Sequence, residues 1–471
     1  MDNKFDVIII GSGLGGLQCG YILSREGMKV CILEQHSQIG GCLQNFTRDN
    51  CVFDTGVHFI GGLDEGQVLN RYFKYFGLMD KLDLKRMDAN GFDTINFAGD
   101  PVEYKFAMGH EHFVDGLCHH FPSERKELEK YVGKLKDICN HFPLYSIREN
   151  EFQVSELQLF SENAFDYIRS VTHNRKLQNV LAGSNPLYAG IPEKTPLYVH
   201  ALVNNSFIES SWRVVKGSSH IATILAESII ENGGTILKKS KVEEFIFDNK
   251  KLTGVKLTNG ESFFATNIIS SIHPAKTIEM VDRTKIRSAY RERILNLENT
   301  TSNFIMYIVF KKDAFEYLNH NVYYYKNNNV WYSHDVRGKG WPNNYLLITP
   351  SSEQQQNFAD CATILTYMSM DEVRRWEHTT IEHRGDDYQA FKQQKAEQLL
   401  DTVEIRFPGF RSTIKKYYTS SPLTFRDYTG TVDGSIYGVA KDCHEPLKTL
   451  IMPRTKIPNL FLTGQSIILH G

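Results

Sequence analysis

The chain has 471 residues, 41% hydrophobic and 23% charged, with 53 Lys and Arg against 55 Asp and Glu for a formal net charge of -2. That length and composition predict a globular protein with a large core in two or more lobes, and the balanced, dispersed charge argues against a nucleic-acid partner. Eight cysteines without a CxxC pair argue against a zinc ribbon or a disulfide framework, and no apolar run approaches the ~20 residues needed to span a bilayer.

The first predicted element is a strand that starts at Phe5 with no charged leader before it, so no secretory signal is visible and the cytoplasm is the expected location. Residues 5–34 read "FDVIIIGSGLGGLQCGYILSREGMKVCILE". The β-branched run Val7 to Ile10 predicts a buried parallel strand, and the spacing of Leu14, Leu17, Tyr21, Ile22 and Leu23 predicts a helix closed near Gly27. Val30 to Leu33 predicts a second strand. Gly11, Gly13 and Gly16 match GxGxxG where a dinucleotide fold requires it, directly after a strand and opening a helix. The three glycines permit the tight turn, the approach of a pyrophosphate to the backbone and close helix–strand packing. The helix N-terminus turns unpaired N–H groups and partial positive charge toward the phosphates. Glu34, at the end of the second strand, is placed to accept hydrogen bonds from the ribose hydroxyls of an adenosine.

FAD and NAD share that adenosine diphosphate, so the first unit does not choose between them. Next in the chain, "QIGGCLQNF" (38–46) and "FDTGVHFIGG" (53–62) follow, and the pair Gly40-Gly41 frees backbone amides and space for a second bulky ring, as the longer FAD requires. Residues 64–205 are rich in helical patterns, such as "SERKELEKYVGKLKDICNHF" with Leu128, Tyr131, Leu135 and Ile138 on one face. "VLNRYFKYFGLM" (68–79) reads as an amphipathic helix, either docked on its own domain or dipping into lipid, so peripheral membrane contact stays open. Residues 233–272 read as successive strands with "DNKK" and "TNGE" as turns. From 290 to 420 come the β-rich runs "FIMYIVF", "VYYYKNNNVWY", "NYLLIT" and "ATILTYMS", with "NNN" as a turn between two of them, and then a helix ending before Pro408. Last, "NLFLTGQSIILHG" (459–471) places Gly464-Gln465 after an apolar strand. There is no Gly-x-Ser-x-Gly elbow, HExxH or Walker loop, and no second GxGxxG in context. No metal site is expected, and NAD(P)H or another electron partner would have to visit a flavin transiently.

These pieces, together with "VVKGSSHIATILAESIIENGGTI" (214–236), "IISSIHP" (268–274) and "PLTFRDYTGTVDGSIYG" (422–438), resemble the FAD-dependent oxidoreductases that include phytoene desaturases, carotenoid isomerases and retinol saturases. The terminal motifs most resemble the retinol saturase branch. The resemblance implies an α/β fold: a Rossmann-like FAD-binding domain of parallel sheet plus β-meander, interleaved with an α+β substrate domain. The implied division is 1–63, 206–289 and 421–471 for the FAD-binding domain, and 64–205 and 290–420 for the substrate domain. Relatives of this kind run on into a last helix, for which no residues remain after Gly471; we read the chain as shortened there.

The cofactor contacts expected on this resemblance are Gly11, Gly13, Leu14, Gly15, Gly16, Glu34, Gln35, Gly40, Gly41, Cys42, Val242, Ser271, Gly464 and Gln465. Val242 would read the adenine edge through its backbone, and Gln465 would replace with an uncharged amide the Asp that often meets the pyrophosphate and ribityl chain. His58 is expected near the isoalloxazine, as a proton donor, as a covalent flavin anchor or as a hydrogen-bonded structural histidine. Arg426, Asp427 and Tyr428 are expected beside the flavin face, with a plain ion pair as the competing role for the charged two. Tyr323 to Tyr325, Trp331 and Tyr332 line either an apolar tunnel or an ordinary core. The expected function is hydride addition or removal at a C=C bond of an apolar isoprenoid or polyene, with His58 or Tyr428 supplying the proton of a saturation. A non-redox polyene isomerase assisted by flavin, a flavin or lipid carrier without turnover, and an amine oxidase are the alternatives; no aromatic cage selects the last.

Overall fold

A computed structural model describes residues 3–147, 157–249, 251–334 and 340–469. His470 and Gly471 of the closing motif, and Lys250 of the "DNKK" turn, lie outside the described residues.

The first strand β1 (Lys4–Ile10) buries its last four residues on both faces, as a continuous β-branched run dictates for a parallel strand covered on each side. The chain turns at Gly11, enters helix α1 (Leu14–Arg25) and returns as β2 (Val30–Leu33), which pairs parallel to β1. The inward face of α1 differs from the expected one: Leu14 and Ile22 are solvent-exposed, and Gly16, Leu17, Gly20, Tyr21 and Ser24 face in. The reason is distance. A Cβ on Gly20 would lie 2.8 Å from Ile32 Cδ1 and 3.0 Å from Ile229 Cδ1, so the helix sits too close for large side chains there.

Around this unit a sheet forms in the order Thr235–Leu237, β2, β1, Ser262–Ser270, Lys251–Leu257, Val242–Asp248. Leu460–Leu462 joins it, parallel to Ser262–Ser270. Strands from the beginning, middle and end of the chain therefore share one sheet. Of the parallel strands, β2 and the second half of β1 bury both faces, and the antiparallel part, Val242–Asp248, Lys251–Leu257 and Ser262–Ser270, is the meander expected from "DNKK" and "TNGE".

A second sheet runs Ile414–Ser420, Ser302–Phe310, Cys361–Met368, Asn344–Ile348, Asn321–Tyr325, Asp93–Phe97, Tyr104–Phe106. The two strands near residue 100 were not expected in a helical stretch; they exist because Asp93–Phe97 pairs parallel with Asn321–Tyr325. "NNN" is not a hairpin turn between strands. Asn321–Tyr325 instead pairs antiparallel with Asn344–Ile348, and Val330–Tyr332 is a single 3-10 turn. Helices Arg125–His141 and Leu197–Glu209 pack together beside this sheet, their core including Leu128, Leu135, Leu197 and Ala201. A small antiparallel sheet pairs Ile60–Gly61 and Leu84–Arg86 with Ser211–Val214, which directly follows Leu197–Glu209 in the chain. Among the described residues no helix is long and apolar enough to cross a membrane. Helix Val68–Tyr75 docks Leu69, Tyr72 and Phe73 on the hydrophobic layer that also contains Leu17 and Tyr21, and leaves Tyr75 exposed.

Candidate functional site

The glycines of the first motif create a backbone cradle. Gly11 has φ +90 and its N–H donates to the Leu33 carbonyl at 2.9 Å, which turns the chain sharply out of β1. Gly16 lies against β1: a Cβ there would collide with the Gly11 carbonyl oxygen and lie 2.9 Å from Ser271 Oγ. Gly13 caps α1 without any side-chain hydrogen bond, and the first turn carries no acidic residue. The first N–H groups of the helix thus lack a side-chain acceptor, as an anion site requires.

Three further segments converge on this turn. Gly40 (φ +111) forms a parallel bridge with Gly13, and a Cβ on Gly41 would sit 3.1 Å from Gly13 Cα. Ser271 donates from Oγ to the Gly11 carbonyl at 3.1 Å, so its hydroxyl supports the turn from below. Gly464 (φ +105) is close enough that a Cβ on Gly15 would lie 3.1 Å from the Gly464 nitrogen. The two ends of the chain therefore meet at one turn, with Leu14 exposed beside it.

Glu34 is buried at the tip of β2. Its Oε2 accepts from the Ser12 N–H at 3.0 Å and the Ser12 hydroxyl at 2.5 Å, and its Oε1 from the His36 N–H at 2.9 Å. Backbone bonds from Glu34 N–H to Leu237 and from Ser240 N–H to Glu34 fix it beside the segment that leads into Val242, which is nearly buried at the start of its strand. Gln35 is exposed and contacts the His36 ring at 3.1 Å. On the other side of the cradle, burial pushes the Cys42 thiol up, so it stays protonated and neutral. Gln465 donates to the Ile436 carbonyl at 3.3 Å, which ties the last loop to the segment carrying Tyr437.

A diphosphate-linked dinucleotide fits this arrangement: an uncapped helix N-terminus faces the bare glycines, a carboxylate stands one strand away, and a thiol, an amide and a tyrosine close the opposite end.

The residues expected to handle protons are not brought together. His58 has a buried Nε2 without a hydrogen-bond partner among the described residues, and burial, with the charge of Arg213, lowers it to about 4, so the imidazole is neutral. Tyr428 lies elsewhere: it is 47% exposed and stacks on His36 at 5.9 Å, near the Glu34 end of the cradle. The helix Pro422–Thr429, expected beside the flavin face, directs its end toward Gln35, whose Nε2 is 3.7 Å from where a Gly430 Cβ would be. Arg426 pairs with Asp427 and donates to the Glu377 carbonyl at 2.7 Å, and Asp427 also accepts from the buried Arg384, which is the ion-pair arrangement. Of the aromatic wall, Tyr323, Tyr324, Tyr325 and Trp331 are buried, while Tyr332 is exposed.

Two buried ionisable residues were missed in the sequence. Arg213 and Asp93 are each 1% exposed, Arg213 inside a short strand and Asp93 at the head of an unrecognised one. A lone charge within an apolar β run was the available signal.

Residues 9–76 match the model of an NAD(P)-binding Rossmann-like domain. The chain is 26% identical to the human all-trans-retinol 13,14-reductase, over 99% of this chain and 83% of that protein. It is 23% identical to the chloroplastic prolycopene isomerase of Daucus carota, over 98% of this chain and 76% of that one. In fold it is similar to a solved oxidoreductase from Methanosarcina mazei, with a TM-score of 0.66 and 14% identity, covering 98% of this chain and 95% of that one. The family resemblance read from the sequence motifs thus holds from one end of the chain to the other.

Proposed function

We propose that this chain, a member of the family of phytoene desaturases, carotenoid isomerases and retinol saturases, is an FAD-dependent oxidoreductase that adds or removes hydride at a C=C bond of an apolar polyene. The observation that carries the reading is the meeting of Gly13, Gly15, Gly41 and Gly464 at one uncapped helix start, in a chain similar along its whole length to retinol reductases and a carotenoid isomerase. Bound FAD supplies a ring that takes up or gives back a hydride.

The chain's own residues do the rest. The amides from Gly11 to Gly16 and the α1 dipole hold the diphosphate, Glu34 accepts from the ribose, and the Val242 backbone meets the adenine edge. Gly40, Gly41, Cys42, Gly464 and Gln465 flank the ring, and Ser271 keeps the turn in shape. The division into cofactor segments (1–63, 206–289, 421–471) and substrate segments (64–205, 290–420) is part of this proposal. In the second lobe, Tyr323, Tyr325 and their neighbours exclude water from an apolar substrate, which offers no carbonyl to polarise and must be aligned by shape. We assign to His58 Nε2, which is buried, neutral at rest and without a partner among the described residues, the relay of a proton between solvent and the substrate carbon, and leave Tyr428 at the adenosine end.

The test is a pair of variants of the holoprotein. His58→Gln is expected to lower saturation turnover by about 10²-fold or more at unchanged flavin content, and Tyr428→Phe to keep turnover. Full activity in His58→Gln rejects this assignment. Net reoxidation of the reduced protein by a polyene separates hydride transfer from isomerisation, which would consume no reducing equivalents.

A further inference from the structure

Arg213, in the small antiparallel sheet, is a buried cation that reaches the second lobe's His320 and Asn321 with part of its hydrogen-bonding capacity unused. Its Nη2 donates to the His320 carbonyl and to Asn321 Oδ1, both at 3.1 Å, while Nε and Nη1 have no partner among the described residues. A carboxylate stands nearby but not against it: Asn321 Nδ2 donates to Asp93 Oδ1 at 2.8 Å, so the amide separates the two charges. Burial also raises Asp93 to about 7, so near neutrality it supplies only part of a negative charge. Beneath the guanidinium lies the Tyr317 ring, 5.7 Å from its centroid, an arrangement suited to a planar, permanently charged group.

The place of this cation in the fold matters as much as its isolation. The ladder that pairs Ile60 with Trp212 brings the "FDTGVHFIGG" segment alongside Arg213, and Arg213's charge reaches His58, whose own Nε2 is also without a partner among the described residues. Asp93 belongs to the strand that pairs parallel with Asn321–Tyr325, so the cation lies at the head of those two strands. Buried donors are nearly always hydrogen-bonded, and the open donors of Arg213 are accounted for by a ligand group that completes them.

We propose that Arg213 is an anion-recognition point for the substrate's polar end, so that the polyene this protein takes carries a carboxylate. The proposal rests on the polyene reading above and narrows it. A single enclosed cation with two free N–H donors matches a monoanionic carboxylate; a phosphate would bring a second charge with nothing to balance it. An alcohol would leave the cation uncompensated.

The experiment compares all-trans-retinoate with all-trans-retinol as probes of the purified holoprotein, with binding followed by quenching of tryptophan fluorescence, which does not depend on turnover. Retinoate is expected to bind about tenfold or more tightly than retinol. Arg213→Met is expected to abolish that difference with FAD content retained, and Asp93→Asn, which removes the competing carboxylate, to tighten retinoate binding and enlarge the thermal shift that retinoate produces. Equal binding of the two probes by the wild type, or a preference that survives in Arg213→Met, overturns the proposal. If Arg213→Met does not fold, failure of Asp93→Asn to strengthen retinoate binding overturns it instead. A yellow protein that saturates retinol without preferring retinoate sinks this inference alone, whereas a colourless one that binds retinoate through Arg213 sinks the oxidoreductase reading alone.

Discussion

Burial holds three imidazoles neutral: His58 is lowered to about 4, His200 to about 3 and His320 to about 4. In the unfolded chain each would take a proton near 6.5, so the unfolded state binds more protons as pH falls, and their contribution to stability is lost between about 6.5 and 4. Asp93 acts in the opposite sense. Its folded value of about 7 lies above the ordinary 3.8, so its contribution is fully present below 3.8 and is lost as pH rises through 7. Asp93→Asn is therefore expected to gain melting temperature over the wild type as the pH is raised from 4 to 8, measured by thermal unfolding at a series of pH values. A difference that does not change with pH refutes the buried-carboxylate account. At this scale Gly11, Gly13, Gly16 and Glu34 were legible because one short stretch of chain contains both the constraint and its cause. Arg213 and Asp93 were not, since their meaning depends on Asn321, contributed by a third strand far away in the sequence.

The unit β1–α1–β2 could be read from its sequence because a fully apolar β-branched run, a glycine turn and a helical apolar face are each local patterns. Asp93–Phe97 could not: its polar members Asp93, Thr94 and Asn96 are buried, and they are satisfied by Asn321 and Tyr323 on the paired strand, a long-range fact that mimics a loop in the sequence. The close crossing of α1 over β1 gives a direct test of the element. Gly16→Ala would press a methyl group into the Gly11 carbonyl and Ser271 Oγ, and is expected to cost about 1–3 kcal/mol of stability and to abolish FAD retention. Gly41→Ala, strained by its φ of +57 and pressed on Gly13, is expected to lose FAD with a smaller stability loss. Denaturant unfolding and the flavin content of purified variants check both; a yellow, fully stable Gly16→Ala protein would mean that the turn is looser than described.

Across the whole molecule, the cofactor turn is assembled from the two ends of the chain and a middle segment, so its integrity depends on how the final loop is held. Lys441 does much of that: buried, it donates from Nζ to the carbonyls of Thr449, Ser466 and Ile467 at 3.2, 2.9 and 2.8 Å, directly after Gly464 and Gln465. Lys441→Met would leave those carbonyls without their donor and is expected to weaken FAD binding about tenfold or more, measured by cofactor titration of the apoprotein. Unaltered affinity would show that the loop is held by other contacts. The interleaving of the two sheets was readable in outline from the motif order, but the participation of residues 93–106 in the second sheet was not, because only the assembled strands reveal it.

The decisive measurement is an anaerobic titration of the reduced, purified protein with a polyene. If the chain is an FAD-dependent oxidoreductase of C=C bonds, the yellow oxidised band returns in proportion to polyene added, with one double bond saturated per flavin reoxidised. A reduced flavin that stays bleached across a series of neutral and carboxylate-bearing polyenes, with none of them saturated, would contradict the central claim.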